Sequence, residues 1–332
     1  MRPTSLTAEG IIGARLADLF KDESSARATF HALAKKWHPD HSSHPLASAA
    51  FAALNLKYSQ AREAFKRGGY FNTLTIKTSK GEATYPYLAV RPFELGEVYI
   101  CPAHVIWATR REYDDLAKAW LESVKSYKFP NEEVEKKIRP HLPINSHTVA
   151  NGERAYTIVD RKLKYLRVVD IVAAKGPLNP RHVAWTLTRA YNLAGFLRYA
   201  NISHLDISPE TFFIDPPSHH GALLGGWFYS APKDVKPLAA PARTSHLAAT
   251  RDTTGLDAQI RLMGRRILGA SSPAQLRAND EVPKPMRDWL LGQPIASIAQ
   301  AHDLWRNKVL IDSYGKHSFT VLDVKEEDIY PS

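Results

Sequence analysis

The stretch His204-Leu205-Asp206-Ile207-Ser208-Pro209-Glu210-Thr211 lies in the second half of a 332-residue chain, and Gly226-Trp227-Phe228 follows it closely. Two short apolar runs, residues 212–215 and 222–224, lie between these segments. A turn rich in proline and histidine separates the two runs. Short apolar runs on either side of a turn are typical of a β-hairpin. The sequence therefore predicts a polar loop followed by a small hairpin.

Helical patterns flank this loop on both sides. Asn179-Pro180 is a typical helix start, and apolar residues recur from Val183 to Leu197 at the spacing of one helix face. This pattern predicts a long helix that ends near Tyr199. Residues 257–269, which begin with Asp257, indicate a second, buried helix. The C-terminal half of the chain is therefore predicted to be mainly helical.

The loop and the turn after it resemble the catalytic loop and metal-binding turn of protein kinases, His-Arg-Asp-x-x-x-x-Asn and Asp-Phe-Gly. His204 and Asp206 match the family's His and Asp, but Thr211 stands at the metal-binding Asn and Gly226 at the metal-binding Asp. The resemblance implies a bilobal α+β fold with a small antiparallel β lobe and a larger, mainly α lobe. It also implies that Asp206 is vestigial and His204 structural, and that Asp257 braces the loop.

Residues 70–163 have the composition expected of the smaller lobe. Strand-like runs surround one amphipathic helix at residues 115–124, which predicts an antiparallel sheet that carries a helix. The segment that aligns with the kinase phosphate loop has one glycine, Gly96, so its backbone is not expected to approach a phosphate closely. Trp107 aligns near the family's third-strand lysine and Trp120 near its helix glutamate. The resemblance thus implies degraded kinase positions at Gly96, Trp107, Trp120, Ser208, Thr211 and Gly226.

The first 70 residues predict a helical hairpin. From residue 26 to 37 the apolar residues Phe30, Leu33, Ala34 and Trp37 fall on one helix face, and Pro39 ends that helix. A second amphipathic helix is predicted from about residue 47 to residue 66.

This hairpin resembles a J-domain, the DnaJ signature. Phe30 to Asp40 is similar to the family's second helix and His-Pro-Asp loop, and Phe51-x-x-Leu54-Asn55-x-x-Tyr58 is similar to its third helix. The resemblance implies a chaperone-binding site for a DnaK-type partner at Lys35, Lys36, His38, Pro39 and Asp40. The first helix is short and lacks the family's Tyr-x-x-Leu opening. The alternative is a hairpin that only packs against the next domain.

Composition limits the other partner classes. The net charge of +10 favours acidic partners, but the basic residues are scattered, so nucleic acid is permitted rather than favoured.

Cys101 is the only cysteine, which excludes an internal disulfide and a cysteine-based zinc site. The histidines at positions 38, 41 and 44 are interrupted by prolines, so we expect no metal site there. No apolar run is long enough for a membrane span and no signal-peptide core is present, so the expected location is cytoplasmic.

As a whole, the chain resembles a prokaryotic and phage group in which a J-domain precedes a serine/threonine-kinase-like domain. The similarity extends to Ala184-Trp185, His220-Gly221, Trp227-Phe228-Tyr229-Ser230 and the ending Tyr314-Gly315-Lys316-x-x-Phe319. The predicted domains are residues 1–69, 70–163 and 164–332, with a break at Gly68-Gly69.

Three functions follow from this resemblance. The first is a non-catalytic adaptor, or pseudokinase, that recruits a DnaK-type chaperone to an unknown client, with ATP and Mg²⁺ binding weak or absent and no cofactor. The second is a structural or assembly protein, including one associated with a virion in a phage-infected bacterium. The third is a divergent ATP-binding serine/threonine kinase of low activity.

Overall fold

The computed structural model of this protein describes residues 6–14, 16–20, 22–66, 72–78, 81–143, 145–162, 164–218, 220–232, 234–247, 254–316 and 320–331. The chain divides into two units, residues 1–89 with 330–332 and residues 90–329. The predicted break at Gly68-Gly69 and the last part of the predicted Tyr-Gly-Lys-x-x-Phe ending, residues 317–319, lie outside the described residues.

The described residues of the first unit contain four helices, of which the last two are the predicted hairpin. They are α1 (Ala8–Gly13), α2 (Leu16–Leu19), α3 (Glu23–Trp37) and α4 (Ala47–Lys66). The Asp22 carboxylate caps α3 by accepting the Ser25 backbone N–H. Phe30 of α3 stacks on Tyr58 of α4 with ring centroids 4.2 Å apart, and both rings pack against a buried core that includes Leu33 and Leu54. The apolar faces of the two long helices are therefore buried against each other.

A separate hairpin follows these helices. Strand β1 (Asn72–Thr78) pairs antiparallel with β2 (Gly81–Tyr87). One face carries the partly or fully buried side chains of Leu74, Ile76 and Tyr85, and the other carries exposed threonines. The alternation of apolar and polar residues thus matches the two faces of the hairpin.

The smaller lobe of the second unit is an antiparallel sheet. Its strands are β3 (Ala89–Phe93), β4 (Gly96–Ile100), β5 (His104–Arg110), β6 (His147–Asn151) and β7 (Arg154–Asp160), in the order β3-β4-β5-β7-β6. Helices α5 (Asp114–Ser126) and α6 (Glu132–Ile138) connect β5 to β6. The predicted helix at residues 115–124 is therefore α5, and it presents Trp120 to the interior.

The larger part of the second unit is mainly helical. Its helices are α7 (Val168–Lys175), α8 (Pro180–Tyr199), α9 (Thr254–Ile267), α10 (Pro273–Arg277), α11 (Lys284–Leu291), α12 (Ile298–Leu304), α13 (Leu310–Tyr314) and α14 (Glu326–Ile329). Its short strands are β8 (Leu166–Arg167), β9 (Ser203–His204), β10 (Phe212–Asp215), β11 (His220–Leu223) and β12 (Ser230–Ala231). The predicted hairpin is confirmed, because β10 pairs antiparallel with β11.

Local sequence signals explain where the long helix α8 begins and what it buries. The Asn179 side chain accepts the Arg181 backbone N–H, and Pro180 takes the first helical position, where its missing N–H costs nothing. Val183, Leu187, Tyr191 and other residues of the predicted stripe are buried.

A small antiparallel sheet and a larger helical part are consistent with a protein-kinase-like fold. None of the described helices is both long enough and apolar enough to cross a membrane.

Candidate functional site

The loop from His204 to Thr211 lies between β9 and β10 and is fixed to the helix behind it. The Gln259 side chain of α9 accepts the Ile207 N–H at 2.7 Å and donates to the His204 carbonyl at 3.0 Å. These residues are buried, so each bond satisfies a backbone group that has no water to bind. The loop is therefore held rigidly at its centre.

Asp206, the residue that aligns with the catalytic base of kinases, is engaged on both carboxylate oxygens. Arg243 lies in the 3₁₀ helix Ala242–Leu247. Its Nε–H group donates to Oδ1 of Asp206 at 3.1 Å, and its Nη2 donates to Oδ2. The Ser208 hydroxyl donates to Oδ1 at 2.8 Å. Asp206 is 1% exposed, and burial raises the pKa of its carboxyl while the guanidinium of Arg243 offsets part of that rise. Asp206 thus has a structural partner at each oxygen.

The ion pair extends into a chain of alternating charges. Arg243 Nε also lies 3.7 Å from a carboxylate oxygen of Glu210, and Arg266 of α9 binds both oxygens of Glu210. Burial pushes the pKa of Glu210 upward, but Arg266 and Arg243 together hold it below its usual value. Two carboxylates and two guanidiniums therefore balance their charges in one partly buried cluster.

Gly226 leaves no room for the metal-binding aspartate of kinases. Its backbone has φ +80° and it precedes a 3₁₀ helix, Trp227–Tyr229. A Cβ on Gly226 would lie 2.6 Å from the Asp206 carbonyl oxygen and 2.9 Å from His204 Cε1. Because both neighbours belong to the fixed loop, no side chain fits here without moving that loop.

Thr211, at the other metal-binding position, is used to hold the loop together. Its hydroxyl donates to the Asp206 carbonyl at 2.6 Å and accepts the Ser208 N–H at 3.1 Å. Thr211 is 2% exposed. Within the described residues, no group of three or more His, Cys, Asp or Glu side chains is placed to hold a metal ion.

The structure brings the two predicted tryptophans together. Trp107 lies in the middle of β5 and Trp120 in α5, with ring centroids 6.2 Å apart, and both are essentially buried. Phe228 packs on Trp120 at 4.6 Å, and Phe93 packs on Trp107 at 5.0 Å. Phe93, Trp107, Trp120 and Phe228 are called the aromatic cluster below. It occupies the place where the resemblance puts a lysine–glutamate ion pair.

Trp107 also contacts the larger, mainly helical part of the second unit. Its indole N–H donates to the Leu224 carbonyl at 3.0 Å. A Cβ on Gly225 would lie 2.4 Å from the Trp107 ring, so the indole lies directly against the backbone just before Gly226. The aromatic cluster thus fills the space between the sheet and residues 204–228, which are called the catalytic-loop region below.

The turn that aligns with the phosphate loop of kinases packs closely against a neighbouring strand. β3 and β4 join through Glu94-Leu95, and Gly96 follows because a Cβ there would lie 2.1 Å from the Ala108 carbonyl oxygen of β5. The Glu94 carboxylate accepts the Ala242 N–H at 3.2 Å. The turn is therefore tied to the same 3₁₀ helix that supplies Arg243.

His204 has a structural environment. Its Nδ1 accepts the Asp206 N–H at 3.3 Å, and its ring packs edge-on against Trp227 with centroids 5.0 Å apart. Complete burial lowers its pKa from 6.5 to about 3, so the ring is neutral at ordinary pH.

Asp257 does not make the contact with the loop that the resemblance implies; Gln259 makes it instead. Asp257 accepts the Tyr191 hydroxyl at 2.6 Å, Arg261 Nε at 2.8 Å and the Ile295 N–H at 2.7 Å. It therefore joins α8, α9 and the segment before α12. The reason is geometric, since residues 257 and 259 point to different sides of one helix.

The His38-Pro39-Asp40 segment forms an ordered, accessible turn at the end of α3. The Asp40 N–H donates to His38 Nδ1 at 3.2 Å, and the His38 ring packs on Phe51 of α4 at 4.8 Å. Pro39 is exposed and the Asp40 side chain is 78% exposed. The carboxylate is thus presented to solvent on a turn that α3 and α4 hold in place.

The two predicted lysines differ in their surroundings. Lys35 is exposed. Lys36 Nζ donates to the Leu6 carbonyl at 3.1 Å and lies over the Trp37 ring at 5.2 Å. Lys36 therefore has a structural task within the first unit.

Comparisons with known proteins add little to these observations. A scan against protein-family models and a search of curated protein sequences both find no match. Among solved structures the chain is similar to vaccinia related kinase 3, at 12% identity and a TM-score of 0.48, over 70% of this chain and 90% of that chain. None of these comparisons identifies a family for this chain.

Proposed function

We propose that this protein is a kinase-like adaptor that does not transfer phosphate and that recruits a DnaK-type chaperone through its N-terminal helices. The observation that carries the proposal is a contrast between two sites. In the second unit the loop residues Asp206 and Thr211 are buried and hydrogen-bonded, whereas the His38-Pro39-Asp40 turn of the first unit is ordered and largely exposed.

The loss of phosphoryl transfer follows from the chemistry that the second unit lacks. Kinases stabilise the transferred phosphoryl group with metal ions and a lysine. At the metal positions this protein offers an engaged threonine hydroxyl and a glycine without space for a side chain. Removing one such electrostatic contact commonly costs about 3 kcal/mol, roughly 100-fold in rate. The residues present do not fit a kinase's ATP and magnesium.

The aromatic cluster supports the same conclusion. Two tryptophans in place of a buried ion pair remove both charges at once, which avoids leaving one of them unpaired. The region then serves the fold as a core that joins the sheet to the helical part.

The chaperone-binding part of the proposal rests on the first unit. A positively charged helix end next to an exposed aspartate gives a partner two charges of opposite sign at the same end of the hairpin. Lys35 and Asp40 supply this pair, and the packing of His38 on Phe51 fixes the turn between them. Such a preorganised turn loses little conformational entropy when it binds.

The test is the ATPase rate of a purified bacterial DnaK-type chaperone with and without the full-length protein at micromolar concentration. We expect stimulation by the wild type and none by His38→Gln. His147→Gln makes the same exchange at an exposed histidine of β6 and should stimulate like the wild type. No stimulation by the wild type, or equal stimulation by His38→Gln, would refute the chaperone role.

A further inference from the structure

We infer that the second unit has an oxyanion-binding site between the end of α10 and one face of α11. It is an open cavity of about 350 Å³, a size suited to a small ligand. Its lining consists of Arg277, Lys284, Arg287, Asp288, Leu291 and Gly292.

The wall of this cavity comes from one face of a helix. Lys284, Arg287, Asp288 and Leu291 follow one another at positions i, i+3, i+4 and i+7 of α11. Arg277, the last residue of α10, faces them. Two cations of α11 and one of α10 therefore surround a single space.

The three cations are engaged to different degrees. Arg287 uses one terminal nitrogen to bind the Asn279 carbonyl at 2.8 Å and Asp280 at 2.9 Å, and it is 19% exposed. Lys284 pairs with Asp288 at 2.5 Å. Within the part of the chain that the structure describes, the Arg277 guanidinium makes no ion pair or side-chain hydrogen bond.

These contacts leave the cavity positively charged. Three cations and one carboxylate line it. Lys284 pairs with Asp288, and Arg287 pairs with Asp280, which lies outside the lining, so the positive charge of Arg277 is the one left uncompensated among these three side chains. Arg287 is anchored, so its remaining N–H donors have a fixed direction, and Arg277 is available opposite them. Two guanidiniums across a small space suit an oxyanion, because each presents N–H groups in the planar arrangement that phosphate and carboxylate oxygens accept.

The ligand class is therefore a small molecule with a phosphate group or with paired carboxylates. Leu291 adds an apolar surface at the end of the cavity, next to Gly292. This site is separate from the catalytic-loop region and does not depend on the proposed chaperone role.

The experiment is isothermal titration of inorganic phosphate, pyrophosphate and citrate into the full-length protein at low ionic strength. We expect saturable binding of at least one probe, and the preferred probe distinguishes a phosphoryl from a carboxylate ligand. Arg277→Gln should weaken binding about tenfold or more, because it removes a charge-assisted contact. Lys284→Gln should weaken it less, since Lys284 is already paired.

Arg198→Gln is the matched control. Arg198 is an exposed arginine in the last turn of α8, so its exchange changes the net charge and the helix end in the same way. It should bind like the wild type. Saturable binding that Arg277→Gln and Arg198→Gln weaken equally, or no saturable binding of any probe, would overturn the inference. Melting temperatures of the variants without ligand confirm that they are folded.

Discussion

Introducing at Gly226 the aspartate that kinases carry at the aligned position should destabilise this protein. In the variant Gly226→Asp the new Cβ would lie 2.6 Å from the Asp206 carbonyl oxygen and 2.9 Å from Asp206 Cβ. The loop cannot simply move away, because Gln259 and Arg243 hold it from two sides. The carboxylate of the new aspartate would also lie beside the buried carboxylate of Asp206, which is already paired with Arg243.

The expected loss of stability has three parts. A non-glycine residue at φ +80° costs about 1 kcal/mol. Forcing extra atoms into a packed site costs about 1–3 kcal/mol more. A second buried carboxylate without its own cation adds to both, so we expect Gly226→Asp to lose about 4 kcal/mol or more. That is a large share of the stability of an ordinary domain.

Two variants separate these contributions in urea unfolding followed by tryptophan fluorescence. Gly152→Ala introduces a Cβ at φ +58° where no atom other than those of residues 151–153 lies within 4 Å, so it should cost about 1 kcal/mol. Gly226→Ala adds the overlap without the charge and should fall between Gly152→Ala and Gly226→Asp. If Gly226→Asp is as stable as the wild type, or acquires magnesium-dependent ATP binding, the closed geometry described for this region is wrong.

Two further predictions concern groups that hold the loop. Because the pKa of His204 is about 3 in the folded protein and 6.5 ordinarily, the unfolded chain binds the extra proton and stability falls as pH decreases between these values. At about pH 4.5 this histidine costs roughly 2–3 kcal/mol, so the urea midpoint of His204→Asn should depend less on pH than that of the wild type. Gln259→Ala leaves two buried backbone groups without partners and should lose about 2–4 kcal/mol in urea unfolding. Gln300→Ala, at an exposed position of α12, should lose less than about 0.5 kcal/mol, and a similar loss for both glutamine variants would contradict the bracing role.

Local signals explain why much of the fold was predictable. Helix α8 begins at the residue that the Asn179-Pro180 cap predicts and ends at Tyr199, because caps and periodicity act within a few residues. Helix α3 ends at Trp37, where Pro39 predicts its end, and the β10–β11 hairpin forms around the predicted turn. The proximity of Trp107 and Trp120 was accessible only through the resemblance to kinases.

The contacts that close the candidate site had no such signal. Arg243 reaches Asp206 across 37 residues and Gln259 reaches Ile207 across 52 residues, and neither residue type is unusual in its surroundings. The bracing role fell to Gln259 rather than Asp257 because the rotation of α9 about its axis is set by packing, which a single sequence does not reveal. Phe93 and Phe228 also pack on the two tryptophans through contacts between residues far apart in the sequence, which local patterns do not reveal.

The most direct measurement is the melting temperature of the full-length protein in the presence of ATP and Mg²⁺, with an active protein kinase as the positive control. A ligand at about 100 times its Kd adds about 2.7 kcal/mol to the stability of the state that binds it. If the aromatic cluster and Gly226 close the cleft as described, millimolar ATP and Mg²⁺ leave the melting temperature unchanged. A saturable rise that requires both ATP and Mg²⁺ would contradict the closed site from which the absence of phosphoryl transfer is argued.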